Sequence, residues 1–113
     1  MSVSVVVAPS FAAAARKLLK KYVSLKAELQ ALEQQLLATP TLGTPLGKDA
    51  YKIRLPIRSK GRGKSGSARV ITYLETIVVA NVTEQTVNLI YIYDKSETAS
   101  ISQKELSELI KQL

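Results

Sequence analysis

The sequence predicts a small α+β domain: a twisted, mainly antiparallel β-sheet with an N-terminal helical hairpin on one side and a C-terminal helix, in the order β-α-α-β-β-β-α. Three observations predict it. Residues 11–37 repeat leucine and alanine at helical spacing. Residues 51–57, 69–80 and 86–93 are rich in β-branched and aromatic side chains, bounded by turn residues. Ser102 and Glu105 stand three apart at the head of a short helical pattern, the spacing of a capping box. At 113 residues, 46% of them hydrophobic, the chain is long enough for one core, and residues 1–113 read as a single domain.

The elements follow in order. Val3, Val5, Val6 and Val7 suit a strand, which Ala8-Pro9 ends. Ser10 is a candidate N-cap for a helix from Phe11 to Tyr22, whose stripe is Phe11, Ala14, Ala15, Leu18 and Leu19. Arg16, Lys17, Lys20 and Lys21 read as its solvated face. Ser24 is placed to cap a second helix, Leu25–Ala38, striped by Leu25, Leu29, Leu32, Leu36 and Leu37. The short link between the helices predicts an antiparallel hairpin packed on the sheet. Thr39-Pro40 stops it, and TPTLGTPLG reads as a loop. In Tyr51–Ile57 the apolar Tyr51, Ile53, Leu55 and Ile57 alternate with Lys52 and Arg54, which therefore point to the other face. Pro56 cannot donate to a ladder, so this strand lies at an edge or ends there. Arg69–Ala80 is a long strand, and NVTEQ is the turn after it. Thr86–Tyr93 is the last strand, with Val87, Leu89, Tyr91 and Tyr93 on one face and Ile90 and Ile92 on the other. Apolar residues on both faces make it central. The final helix runs from the Ser102–Glu105 box toward Leu113, with Ile101 and Leu106 at staple positions.

Charge is concentrated in one stretch. The chain carries 16 basic and 9 acidic residues, net +7. Lys52, Arg54, Arg58, Lys60, Arg62, Lys64 and Arg69 all fall between Tyr51 and Tyr73, a stretch with no acid, and the rest of the chain is neutral. Between the two strands the loop Ser59–Ala68 is almost wholly Gly, Ser, Lys and Arg. A flexible cationic loop on a sheet suits a polyanion. Arg58, Lys60, Arg62 and Lys64 are the candidate phosphate contacts, although a solvated hairpin tip has the same composition.

Several classes are excluded. The chain has neither cysteine nor histidine, which removes disulfides, thiolate metal sites, the commonest zinc ligand and the commonest general base. Its acids are scattered, which argues against a metal-dependent nuclease, and no cofactor is expected. Gly63-Lys64-Ser65 mimics the end of a P-loop, but the motif's first glycine would fall at Arg58 and the context is strand–loop–strand. The uncharged run Val3–Ala15 lacks a preceding positive region and is too short to span a bilayer, so a soluble, cytoplasmic protein without a membrane role is expected. Tyr91 and Tyr93 fit two roles, packing residues or stacking platforms for bases.

The segments RKLLKKYVSLKAELQALEQQL, LGKDAYKIRLPIRSKGRGKSGSARVITY and LIYIYDKSETASIS resemble the RelE/ParE superfamily of bacterial type II toxin–antitoxin toxins, and the HigB-like RelE branch in particular. The resemblance covers the chain from Phe11 onward. It implies a RelE-like fold and a toxin that acts in the ribosomal A site as an mRNA endoribonuclease, or mRNA interferase, inhibiting translation. It also implies a cognate antitoxin as partner. Lys52 and Arg54 stand where that branch has paired basic residues in a YKIKL-like strand, Arg69 where it has the arginine of a YRLVY-like strand, and Lys95 where a basic residue follows the last strand. A C-terminal tyrosine of the best-known members has no match, since Ile101 stands near its position, which leaves Tyr91 or Tyr93 to substitute. The loop is longer than in compact members, and Ser67 replaces a usual glycine.

The reaction so implied is attack of an mRNA 2′-OH on the adjacent phosphate. Cations suit it because charge builds on the phosphorane. Arg69 is assigned to that phosphate, and Lys52 and Arg54 to the backbone or the leaving oxygen. Crowding by neighbouring cations disfavours the charged form of a lysine and makes it a better base, and Lys52 is the candidate. Two other classes fit the sequence: a ParE-like inhibitor of DNA gyrase, which the dense basic set disfavours, and a non-catalytic RNA-binding module.

Overall fold

The structure is a computed structural model that describes residues 2–60 and 66–113, apart from the side chain of Lys60. The strands are β1 (Ser2–Val7), β2 (Thr44–Gly47), β3 (Ala50–Pro56), β4 (Ser67–Val79) and β5 (Val82–Asp94). The helices are α1 (Pro9–Lys21), α2 (Leu25–Ala38) and α3 (Gln103–Lys111), and Arg58–Lys60 forms a short 3-10 turn. The sheet order is β1-β5-β4-β3-β2, antiparallel except where β1 runs parallel to β5. The order expected from sequence holds with one added strand: the stretch read as a loop contributes β2. Gly43 makes its approach possible. It has φ +106°, and a Cβ there would lie 2.6 Å from the Lys52 carbonyl oxygen, so only glycine lets the chain come this close to β3.

The β2–β3 and β4–β5 hairpins close in two residues with left-handed backbone, Lys48-Asp49 (φ 56° and 62°) and Ala80-Asn81 (φ 51° and 68°). That geometry matches the right-handed twist of the flanking strands. The predicted NVTEQ turn therefore shrinks, and Val82–Gln85 are strand.

The core lies between the helical hairpin and one sheet face. Phe11, Leu18, Leu25, Leu32 and Leu36 pack against Ile53, Leu55, Val70 and Val87. The stripes were legible but too wide, for Leu19 and Leu37 are exposed. A second cluster on the opposite face seats Leu106 of α3 against Ala50, Ile71 and Ile90.

The expected side-chain caps are mostly absent. Ser10 does not cap α1, which begins at Pro9 after an uncapped Ala8; proline suits a first turn because its missing N–H would be unpaired there. Ser10 Oγ instead donates to the Ile90 carbonyl, 2.6 Å. Ser24 flanks α2 without capping it, and its hydroxyl bonds Glu28 (2.9 Å) and Ser59 (2.8 Å). The Ser102–Glu105 capping box forms as predicted, though α3 stops at Lys111.

One irregularity decides the faces of β5. Ile71 pairs with Tyr91 and Thr72 with Leu89, so Ile90 is an extra residue, a β-bulge. Strict alternation put Tyr91 and Tyr93 with Val87 and Leu89. The bulge corrects this: Val87, Leu89 and Ile92 face the helices, while Ile90, Tyr91 and Tyr93 face the α3 side.

No helix among the described residues is long and apolar enough to cross a membrane. The lower end of β5 is fixed by Asp94, 3% exposed, which accepts from Tyr22 Oη (2.7 Å), Ser96 N (2.9 Å) and Ser96 Oγ (2.6 Å). Replacing Tyr22 with Phe removes a bond to a buried carboxylate. It is expected to cost about 1.5–3 kcal/mol in denaturant unfolding with the fold retained.

Candidate functional site

The register brings the predicted residues together on the sheet face opposite the helical hairpin. Arg54 on β3 lies directly opposite Arg69 on β4, and Arg69 lies directly opposite Tyr93 on β5. One step along, Lys52, Ile71 and Tyr91 form a parallel row. Side chains directly opposite in antiparallel strands have Cβ atoms about 5 Å apart and share a face. The face thus holds an arginine pair flanked by tyrosine, with lysine and a second tyrosine beside it. The rings of Tyr91 and Tyr93 are 6.3 Å apart and tilted by 37°. α3 packs on this face through Leu106, in one cluster with Ile71, Ile90 and Tyr93.

Like charges set directly opposite destabilise a sheet. Arg69 is half-buried, and its Nη1 donates to Ser67 Oγ (2.8 Å) and the Ala68 carbonyl (3.3 Å). Among the described residues no carboxylate pairs with it. Its guanidinium is held in place by neutral acceptors. Ser67, wholly buried, is the residue that sequence reading noted only as a replaced glycine, and its hydroxyl fixes the rotamer of the central arginine.

Tyr93 is 4% exposed, and its hydroxyl has no hydrogen-bond partner among the described residues. Burial raises its pKa above the ordinary value of 10.0, while the Arg69 guanidinium beside it acts in the opposite direction. Burial thus disfavours ionisation of the Tyr93 hydroxyl beside Arg69. Tyr91 is the more open of the two rings.

Other predicted residues have partners of their own. Lys95 follows β5: its backbone N–H donates to the Ser67 carbonyl (3.3 Å), and its Nζ donates to the Ala99 carbonyl (2.5 Å), which ties the ammonium to its own loop. Arg58 turns toward α2: its N–H donates to Glu28 Oε2 (2.7 Å) and its Nε lies 3.8 Å from the same oxygen. With Ser24–Ser59 this forms a clamp between the helical hairpin and the root of the basic loop. Sequence reading did not single out Glu28, whose partner lies 30 residues away in the chain. Arg62, Lys64 and the side chain of Lys60 lie outside the described residues.

No protein-family model matches the chain, and no curated protein does. Among solved structures, an arginine-to-alanine double mutant of E. coli toxin RelE in the free state aligns over 100% of this chain and 99% of its own. The TM-score is 0.57 at 17% identity. The likeness is one of fold, and the sheet with its helices is RelE-like.

The Arg69–Tyr93 contact has a spectroscopic consequence. The unfolded chain ionises Tyr93 first as pH rises, so stability is full below pH about 10 and falls as pH climbs through the raised folded pKa. Tyr93→Phe should lessen that alkaline loss and remove a late-titrating component from an ultraviolet titration of the tyrosines. Arg69→Ala should move the Tyr93 transition further up, and a downward move would mean that the guanidinium is not beside the ring.

Proposed function

We propose that this chain is the toxin of a type II toxin–antitoxin pair and cleaves mRNA in the ribosomal A site without a metal ion. The observation that carries this reading is the Arg54–Arg69 opposition on a sheet face with no carboxylate on Arg69. Two guanidiniums so placed gain most from a ligand of concentrated negative charge, and a phosphodiester accepts from them in bidentate geometry. The RelE-like fold supports the same reading.

The chemistry follows from the row. The mRNA 2′-oxygen attacks the adjacent phosphorus as its proton passes to a base, with Lys52 the candidate. The bond from phosphorus to the 5′-oxygen breaks, and that oxygen takes up a proton. The products are a 2′,3′-cyclic phosphate and a 5′-OH. Arg69 stabilises the charge on the phosphorane, where preorganised donors have their largest effect. Arg54 holds the flanking backbone, and Tyr91 offers a ring face to a base. A cognate antitoxin presenting an acidic segment to this face would silence it.

Purified protein incubated with translating ribosomes should create new 5′-OH mRNA ends. Arg69→Ala should lower their rate by about 10²–10³ with an unchanged circular dichroism spectrum. Equal cleavage by Arg69→Ala would overturn its role. RNA binding without new ends would leave a non-catalytic module, and gyrase inhibition without new ends would point to ParE-like action.

A further inference from the structure

The β4–β5 hairpin projects beyond β3 on one side, while β1 follows β5 as far as Glu84 on the other. Its tip exposes Ile77 (56%), Val78 (64%), Val79 (66%) and Val82 (54%). β3 stops pairing with β4 at Ala50–Tyr73, and just beyond it the Leu74 N–H donates to the Asp49 carbonyl (2.9 Å). That bond shows which backbone groups face the β3 side. Alternation along the strand gives Thr76 and Val78 the same orientation, and no strand among the described residues meets them. The hairpin turn agrees: Val79 and Val82 flank two turn residues and bond each other, so Val78 and Thr76 point outward.

Edges of this kind are usually protected by lysine, proline or a bulge. This one carries none of the three. Its single charge, Glu75, is drawn back onto the sheet by Asn88 Nδ2, 2.8 Å from its Oε1. What remains is Thr-Ile-Val-Val. Residues 74–88 hold two acids and no base, in a chain of net +7.

We propose that this edge pairs antiparallel with the same edge of a second copy. Centring the pairing on Ile77 sets Thr76 against the second copy's Val78, and Val78 against its Thr76. The outward N–H and C=O groups then satisfy one another, and the two Ile77 side chains meet at the two-fold axis. The two Glu75 residues fall about 13 Å apart along the strands, beyond the screening length of about 8 Å at physiological salt. Charge selects this occupant. Copies repel each other wherever basic faces approach, whereas here each presents a neutral strand. An acidic polypeptide or RNA drawn to the arginine row meets glutamates instead. The contact is isologous and closes at two subunits. It buries less than the roughly 1,200 Å² of stable interfaces, so the dimer is a weak one. Val78 lies about 30 Å along β4 from Arg69, so pairing leaves both arginine rows open.

Sedimentation equilibrium from low to high micromolar concentration tests this. The mass of the wild type should rise from 12.3 kDa toward twice that value. Val78→Lys should hold it at one chain, and Gln34→Lys, which adds the same charge on exposed α2, should behave as wild type. Amide exchange at Thr76 and Val78 should slow as wild-type concentration rises, a readout that needs no variant. A chain monomeric throughout overturns the proposal, as does a dimer that survives Val78→Lys. Edge amides protected only when a different polypeptide is added would give the edge to that partner instead.

Discussion

The placement of the tyrosines on the candidate face depends on one extra residue. β5 is central and apolar on both sides, and with strict alternation it would send Tyr91 and Tyr93 into the helix-side core with Leu89. The bulge at Ile90 lets one strand serve two cores: Val87 and Leu89 fill the space under α1 and α2, and Tyr93 stands beside Arg69. A bulge leaves backbone groups out of the ladder. The Ile90 carbonyl is taken up by Ser10 Oγ at the start of α1, and Ala8 N bonds the neighbouring Leu89 carbonyl. The first helix is thereby anchored to the irregularity, and the Ile90 side chain becomes part of the seat for α3.

On that frame the charged groups divide by role. Those with carboxylate partners among the described residues are structural or peripheral: Lys21 with Glu97, Arg58 with Glu28, Lys111 with Glu108. Exposed pairs of this sort contribute little to stability. Among the described residues Arg69 has neutral acceptors only, and it faces another arginine and a buried phenol that has no hydrogen-bond partner there. An unpaired buried hydroxyl costs about 1–3 kcal/mol. The fold tolerates that cost together with like-charge opposition, as functional sites commonly do. The Asp94–Tyr22 bond limits the consequence by pinning the residue next to Tyr93 to the end of α1.

Much of the fold was legible. The leucine stripe gave the buried side of α2 and Thr39-Pro40 its end, the alternation in Tyr51–Ile57 gave the two faces of β3, and Ser102 with Glu105 gave the start of α3. Misreadings arose where a local rule met a distant partner. Ser10 and Ser24 look like caps, but Ile90 and Ser59 claim their hydroxyls. Pro45 and the flanking glycines hid β2, whose pairing depends on the close approach at Gly43. Ala80 adopts a left-handed backbone that its residue type does not announce. For the site, the sequence supplied Lys52, Arg54, Arg69 and the tyrosines, but not that Arg54 faces Arg69. Opposition is a property of the β3–β4 register, which runs unshifted from Ala50↔Tyr73 to Pro56↔Ser67 and cannot be read from either strand alone. Lys95 followed the same pattern in reverse, near in sequence yet bonded to its own loop.

The central claim is that the Arg54–Arg69–Tyr93 row binds a phosphodiester. The most direct measurement is nuclear magnetic resonance of the arginine Nε–H groups and tyrosine rings during titration with a single-stranded oligonucleotide whose 2′-deoxy sugars prevent cleavage. The account predicts saturable shifts at Arg54, Arg69 and Tyr93, with a midpoint that weakens steeply as salt rises. Saturable shifts confined to Arg16 and Arg58, with Arg54 and Arg69 unmoved, would contradict it.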